Sequence, residues 1–205
     1  MRDVDAEVLV LVGSDVFMRS LMREFPDEVK SMVADTVRMD LSRTPSTVEL
    51  LELTAPIAMQ AEREREAVAV GKVRDLLGSG RAVGGTIDVL NAMQAHQVEL
   101  LVMNEDFVAA GWADLTLPLY GMGPVPTTHP INGDVANLIA VDLEEELVRL
   151  ALHTGGEIEF VHERVPIDAG DEDTSAGADG QIPRSEPAKS MDEIGGIGAL
   201  LRFAN

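Results

Sequence analysis

Residues 195–203 read Gly195-Gly196-Ile197-Gly198-Ala199-Leu200-Leu201-Arg202-Phe203, an apolar run punctuated by glycine, which predicts a short buried strand entered through a tight turn. Working back, Glu157 to Val161 reads as a second strand. It follows a helix that the pattern starts at Asp134, with Val135, Leu138, Ile139, Leu143, Leu147, Leu150 and Ala151 on one face and Gly155 at its end. A third strand, Val98 to Met103, stops at Asn104-Glu105-Asp106, and a helix carrying Ile87, Val89, Leu90 and Met93 leads into it. Between these elements, residues 111–133 hold Pro118, Pro124, Pro126 and Pro130 with several glycines and read as an irregular loop. From Asp168 to Ser190 the chain turns to Asp, Gly, Ser, Pro and Ala. That composition cannot offset the entropy of ordering and predicts a mobile insertion.

Upstream, Glu7 to Val12 is an almost wholly apolar run ending at Gly13-Ser14, a buried strand turning into a helix with Ser14 as its cap. Val16, Phe17, Leu21, Met22 and Phe25 recur at helical spacing, Pro26 restarts a turn, and Val29, Met32 and Val33 continue the apolar face. Val37, Met39 and Leu41 then alternate with polar residues, as in a half-buried strand, giving a β-α-β unit. Thr44-Pro45 predicts a cap for a long helix that Pro56 kinks or breaks and that resumes from Ile57 to Leu77. The Gly78-Ser79-Gly80 stop marks a boundary, so the sequence predicts two small α/β sandwich units, 1–80 and 81–205.

Composition narrows the function. Sixteen Lys and Arg against 36 Asp and Glu give a formal charge of −20, which opposes direct binding to a phosphate backbone. No cysteine is present, which removes disulfides, thiol catalysis and thiolate metal sites and fits a cytoplasmic protein. Asp3, Asp5 and Glu7 precede an apolar run too short to span a bilayer, the reverse of a signal-peptide start, so no membrane association is expected.

Single residues point to structure more than to chemistry. His96, His129, His153 and His162 lack the i, i+4 pairing of helix metal sites, and His153 has a sufficient role in the last turn of its helix. Consecutive Glu144, Glu145 and Glu146 cannot share one helix face, which makes them a solvated surface. Gly195, Gly196 and Gly198 are followed by apolar residues rather than by Lys-Ser/Thr, unlike a phosphate-binding loop, and Ser14 and Ser185 lack the setting of a hydrolase nucleophile. No catalytic residue, cofactor or metal site is predicted. The surface candidate is the segment with Trp112, Leu115, Leu117, Leu119 and Tyr120, where a proline-stiffened loop with the sole Trp and Tyr could bury a partner; covering its own core is the competing role. Trp112, Leu117 and Tyr120 are the expected contact residues.

The order Gly85-Ile87-Val89-Leu90, Val98-Glu99-Leu100-Leu101-Val102, long helix, Glu157 to Val161 and Gly195 to Phe203 resembles domain 3 of the archaeal and eukaryotic class 1 release-factor and Pelota superfamily, in particular its bacterial branch. Residues 7–77 are similar to the latter half of that family's central domain. The resemblance implies an L7Ae-like second unit and a ribosome-associated translation factor of termination, rescue or hibernation that docks a translational GTPase or the ribosome. It also implies that the family's codon-reading domain and the first half of its central domain would lie upstream of Met1. Release factors of this family hydrolyse peptidyl-tRNA with a Gly-Gly-Gln motif, whereas here Gly84-Gly85, Gly155-Gly156 and Gly195-Gly196 precede Thr86, Glu157 and Ile197. The zinc-binding cysteines of some members have no counterpart in Gly111 to Pro130. An L7Ae-like RNA-binding module and an unrecognised hydrolase are the alternatives.

Overall fold

The structure, a computed structural model, describes residues 8–40, 44–114, 116–163 and 184–203. The chain divides into two compact units, 1–65 and 66–205. The division falls within a helix, upstream of the boundary that Gly78-Ser79-Gly80 suggests.

The first unit is the β-α-β unit the sequence predicts. Strands β1 (Leu9–Gly13) and β2 (Val33–Arg38) pair in parallel, and helices α1 (Asp15–Glu24) and α2 (Asp27–Ser31) connect them. The buried side of α1 is Met18, with Leu21, Met22 and Phe25 half-buried, an i, i+3, i+4, i+7 set. Val16 and Phe17, expected on that face, are exposed. The second strand starts four residues before the Val37 of the predicted alternation, because Val33 pairs with Leu9 instead of extending the helix.

Helix α3 (Thr47–Leu76) is continuous through Pro56, contrary to the expected break. A proline removes one i to i−4 hydrogen bond, and the rest of a 30-residue ladder carries the helix across it. Its start is also displaced from Thr44-Pro45. Ser46 N–H donates to Glu49 Oε2 at 2.8 Å and Glu49 N–H donates to Ser46 Oγ at 3.2 Å, a reciprocal capping box that sets the first turn.

In the second unit a four-stranded sheet runs in the order β3 (Ala82–Gly84), β9 (Ile197–Leu201), β4 (Val98–Asn104), β8 (Glu157–Val161). β4 and β8 are parallel, and β9 is antiparallel to both of its neighbours. Alternation along β4 sends Leu101 and Met103 into one core with α4 (Thr86–Gln94) and α5 (Leu143–His153). Val102 enters a second core with Val70 and Val73 of α3 and Met191 of α6 (Glu186–Asp192). Helices thus cover both faces, and each fully buried aliphatic side chain stabilises the unit by about 2 kcal/mol. The Gly195 to Phe203 segment forms the expected strand: Gly195 and Gly196 turn into it with φ of 90° and 76°, and a Cβ at Gly198 would lie 2.8 Å from Val73 Cγ1.

Three expectations for this unit are corrected. The helix predicted from Asp134 begins only at Leu143; Leu138–Asp142 is strand β7, and the cap is Asp142, whose carboxylate accepts from Glu144 N–H at 3.0 Å. The loop 111–133 contains strands β5 (Ala110–Asp114) and β6 (Leu119–Met122), which join β7 in a three-stranded antiparallel sheet of order β6-β5-β7. Of the insertion 168–190, residues 168–183 lie outside the described residues, while its end is ordered: Ser185 caps α6 by accepting from Ala188 N–H at 3.2 Å, and Pro187 sits in the first turn. The Arg184 guanidinium bridges Asp106 and Asp192, both at 2.8 Å, fastening the start of α6 beside the end of β4. Among the described residues no helix is long and apolar enough to cross a membrane.

Candidate interaction surface

The three-stranded sheet has one face turned inward. Gly111 and Ala113 of β5 are buried against α5, so Trp112 and Asp114 project from the opposite face by strand alternation. Trp112 pairs across the strands with Gly121, and a Cβ on Gly121 would fall 2.4 Å from the indole ring. Glycine there lets the half-buried indole lie over the β6 backbone. Trp112 is therefore a fixed aromatic surface on this sheet.

Tyr120, expected beside it as a contact residue, is buried. It pairs with Ala113 on the inward face, its N–H donates to Gln94 Oε1 of α4 at 2.8 Å, and its hydroxyl accepts from Arg149 Nη2 of α5. The Arg149 guanidinium, 6.0 Å from the Tyr120 ring centroid, also donates to Glu146 Oε2 at 3.1 Å. The hydrogen bond to Glu146 is the main reason the guanidinium pKa is raised. Tyr120 thus ties the hairpin to two helices and supports the surface from beneath. Leu117, in the β5–β6 turn, is exposed as expected, Leu119 is half-buried, and Leu115 lies outside the described residues.

A buried polar knot fixes the remainder of the segment. Asp114 Oδ1 accepts from Thr116 Oγ1 at 2.6 Å, Thr116 N–H at 2.8 Å and Leu117 N–H at 3.2 Å, which folds the turn after β5. Its other oxygen lies 3.2 Å from His129 Nε2. His129 Nδ1 accepts from the backbone N–H of Ile131 and of Asn132, each at 3.1 Å, which leaves Nε2 as the ring nitrogen beside Asp114. One imidazole therefore pins the proline loop to the end of β5. The Thr116 hydroxyl bond, with the Thr116 and Leu117 N–H groups and His129 adding to it against the opposing effect of burial, holds the Asp114 carboxyl below the usual carboxylate range.

A carboxyl depressed in the folded state stabilises the protein above its unfolded pKa of about 3.9, and that contribution disappears as pH falls through the folded value. Asp114→Asn is accordingly expected to flatten the acid limb of the stability profile below about pH 4. Urea unfolding across that range checks it; an unchanged acid limb would remove Asp114 as a source of acid sensitivity.

The knot went unseen in the sequence because its two side chains are 15 positions apart with no periodicity between them. His129 takes part in this knot, and His162 Nδ1 lies 2.5 Å from Oε1 of buried Glu66. Among the described residues no group of three or more His, Asp or Glu converges as a metal site.

This mixed α/β fold is similar to that of solved Dom34 and Pelota structures. Dom34 of S. cerevisiae, described as a translation termination-like factor involved in RNA quality control and interacting with Hbs1, is 12% identical over 97% of this chain and 48% of its own, with a TM-score of 0.54. Ribosome-bound archaeal Pelota, described together with ABCE1, is 15% identical over 98% of this chain and 44% of its own, with a TM-score of 0.53. The chain thus spans under half the length of each of these two proteins. No protein-family model and no curated protein matches it.

Proposed function

We propose that this chain is a non-catalytic docking part of a release-factor-like translation factor of the bacterial branch, one that meets the ribosome or a translational GTPase. The observation that carries the reading is the fold likeness to Dom34, which extends over 97% of the chain and includes both units. The sequence supports docking over hydrolysis, because none of its Gly-Gly pairs is followed by glutamine. Where no such motif lies upstream of this chain, rescue or hibernation is favoured over termination. The L7Ae-like RNA-binding alternative is opposed by charge: from Ala82 to Val148 there is no Lys or Arg and there are ten Asp and Glu, so this stretch offers nothing to neutralise phosphates.

The test is calorimetric titration of the chain with a purified translational GTPase, loaded with a non-hydrolysable GTP analogue or with GDP. Binding that prefers the GTP-analogue form is the expected result. Absent binding of both forms would remove the GTPase as partner and leave the ribosome alone.

A further inference from the structure

The geometry points to the proline-stiffened lobe of the second unit as a docking surface for a basic, aliphatic protein segment, such as an amphipathic helix of Lys and Leu character. This deepens the function proposed above and rests on that reading only for where the partner is met. Leu117, Met122, Val125, Ile131 and Val135 are all exposed here, with Ile131 at 69%. Isolated exposed aliphatics are ordinary on a protein surface, but five within 19 positions of the chain are a concentration of them.

Two observations select the occupant. The first is charge: the whole stretch between Arg81 and Arg149 lacks a cation, Arg149 is engaged by Glu146 and Tyr120, and Asp134, Asp142 and Glu145 of the same stretch are exposed. Such a surface attracts Lys and Arg and repels nucleic acid and acidic proteins, including a second copy of this chain. The second is rigidity. Three of the aliphatics belong to the loop that His129 pins to Asp114, and Pro124, Pro126 and Pro130 restrict the same loop, so less entropy is lost when a partner settles on it. The aliphatics anchor, and the acidic rim steers and orients.

Trp112, the sole tryptophan, lies on this sheet and reports on it. The probe is a labelled Lys/Leu helical peptide of about 18 residues, five turns, followed by anisotropy and by Trp112 emission. Parallel titrations use a Lys/Ser peptide of equal charge, a Glu/Leu peptide and a folded RNA hairpin. Saturable binding of the Lys/Leu peptide alone is expected, weakened at least about tenfold by Ile131→Ser/Val135→Ser and changed by less than about twofold by Leu152→Ser, an exposed position on α5. Equal binding of the Lys/Ser peptide, preference for RNA, an equal loss with Leu152→Ser, or no binding would each overturn the inference. None of these arms involves ribosomes. A chain that takes the peptide but never a ribosome or GTPase keeps this surface and loses the function above, and the reverse pattern removes only the surface.

Discussion

Gly111→Ala is expected to destabilise the second unit by about 2 kcal/mol, with the loss concentrated where β5 meets α5. A Cβ at this position would stand 2.5 Å from Leu143 Cγ and 2.6 Å from the carbonyl oxygen of Gly121. Leu143 is fully buried and begins α5, and the Gly121 carbonyl belongs to β6, so neither neighbour can swing aside as a surface side chain would. Overpacking of this kind costs about 1–3 kcal/mol. Replacing glycine in a strand offsets only about 0.5–1 kcal/mol of that. The comparison is Gly71→Ala in α3, where a Cβ meets nothing within 4 Å and the gain in helix propensity of about 1 kcal/mol stands unopposed. Urea unfolding followed by far-ultraviolet dichroism and Trp112 emission should therefore move in opposite directions for the two variants. Shifts of the same sign would refute the close packing of β5 on α5.

His162→Ala is expected to cost about 2 kcal/mol by a different route. Glu66 is 2% exposed, and its carboxylate is served by the His162 ring at 2.5 Å and by the His162 backbone N–H at 3.3 Å. Removing the ring strips a buried charge of its principal partner, which costs about 3–5 kcal/mol for a fully buried pair; the half-exposed ring lowers that figure. The double variant Glu66→Leu/His162→Ala removes the stranded charge and should recover most of the loss. Denaturation midpoints for wild type, single and double variants decide the matter. A double variant no more stable than His162→Ala would mean that burial of the Glu66 charge is not what the imidazole compensates.

The sequence made the elements with one unambiguous period legible. Most residues of Val98 to Met103 and of Ile197 to Leu201 are buried or half-buried against the two cores, so their apolar runs are nearly continuous, and the structure places β4 and β9 there. The segment Leu138–Asp142 reads as helix in the sequence because Val135, Ile139, Leu143, Leu147 and Ala151 keep a spacing of four across the point where Asp142 caps. β5 and β6 were hidden by Gly111 and Gly121, which weaken strand propensity locally and are required by close approaches to Leu143 and Trp112 that only the folded chain reveals. For the end of the insertion, a readable signal existed: Ser185-Glu186-Pro187 is a cap followed by a first-turn proline. At the candidate surface, the proline-stiffened loop with the sole Trp and Tyr draws attention to Trp112, Leu117 and Tyr120, whereas the burial of Tyr120 depends on Gln94 and Arg149, partners from two helices. The acidic stretch from Ala82 to Val148 is plain in the sequence, whereas which of its aliphatics are exposed is known only from the fold.

The most direct test of the account is sucrose-gradient co-sedimentation of the natural full-length protein with 70S ribosomes, with and without the translational GTPase, from growing and starved cells. The account predicts association that increases with the GTPase or on starvation. Absence from the ribosomal fractions under every condition would contradict it.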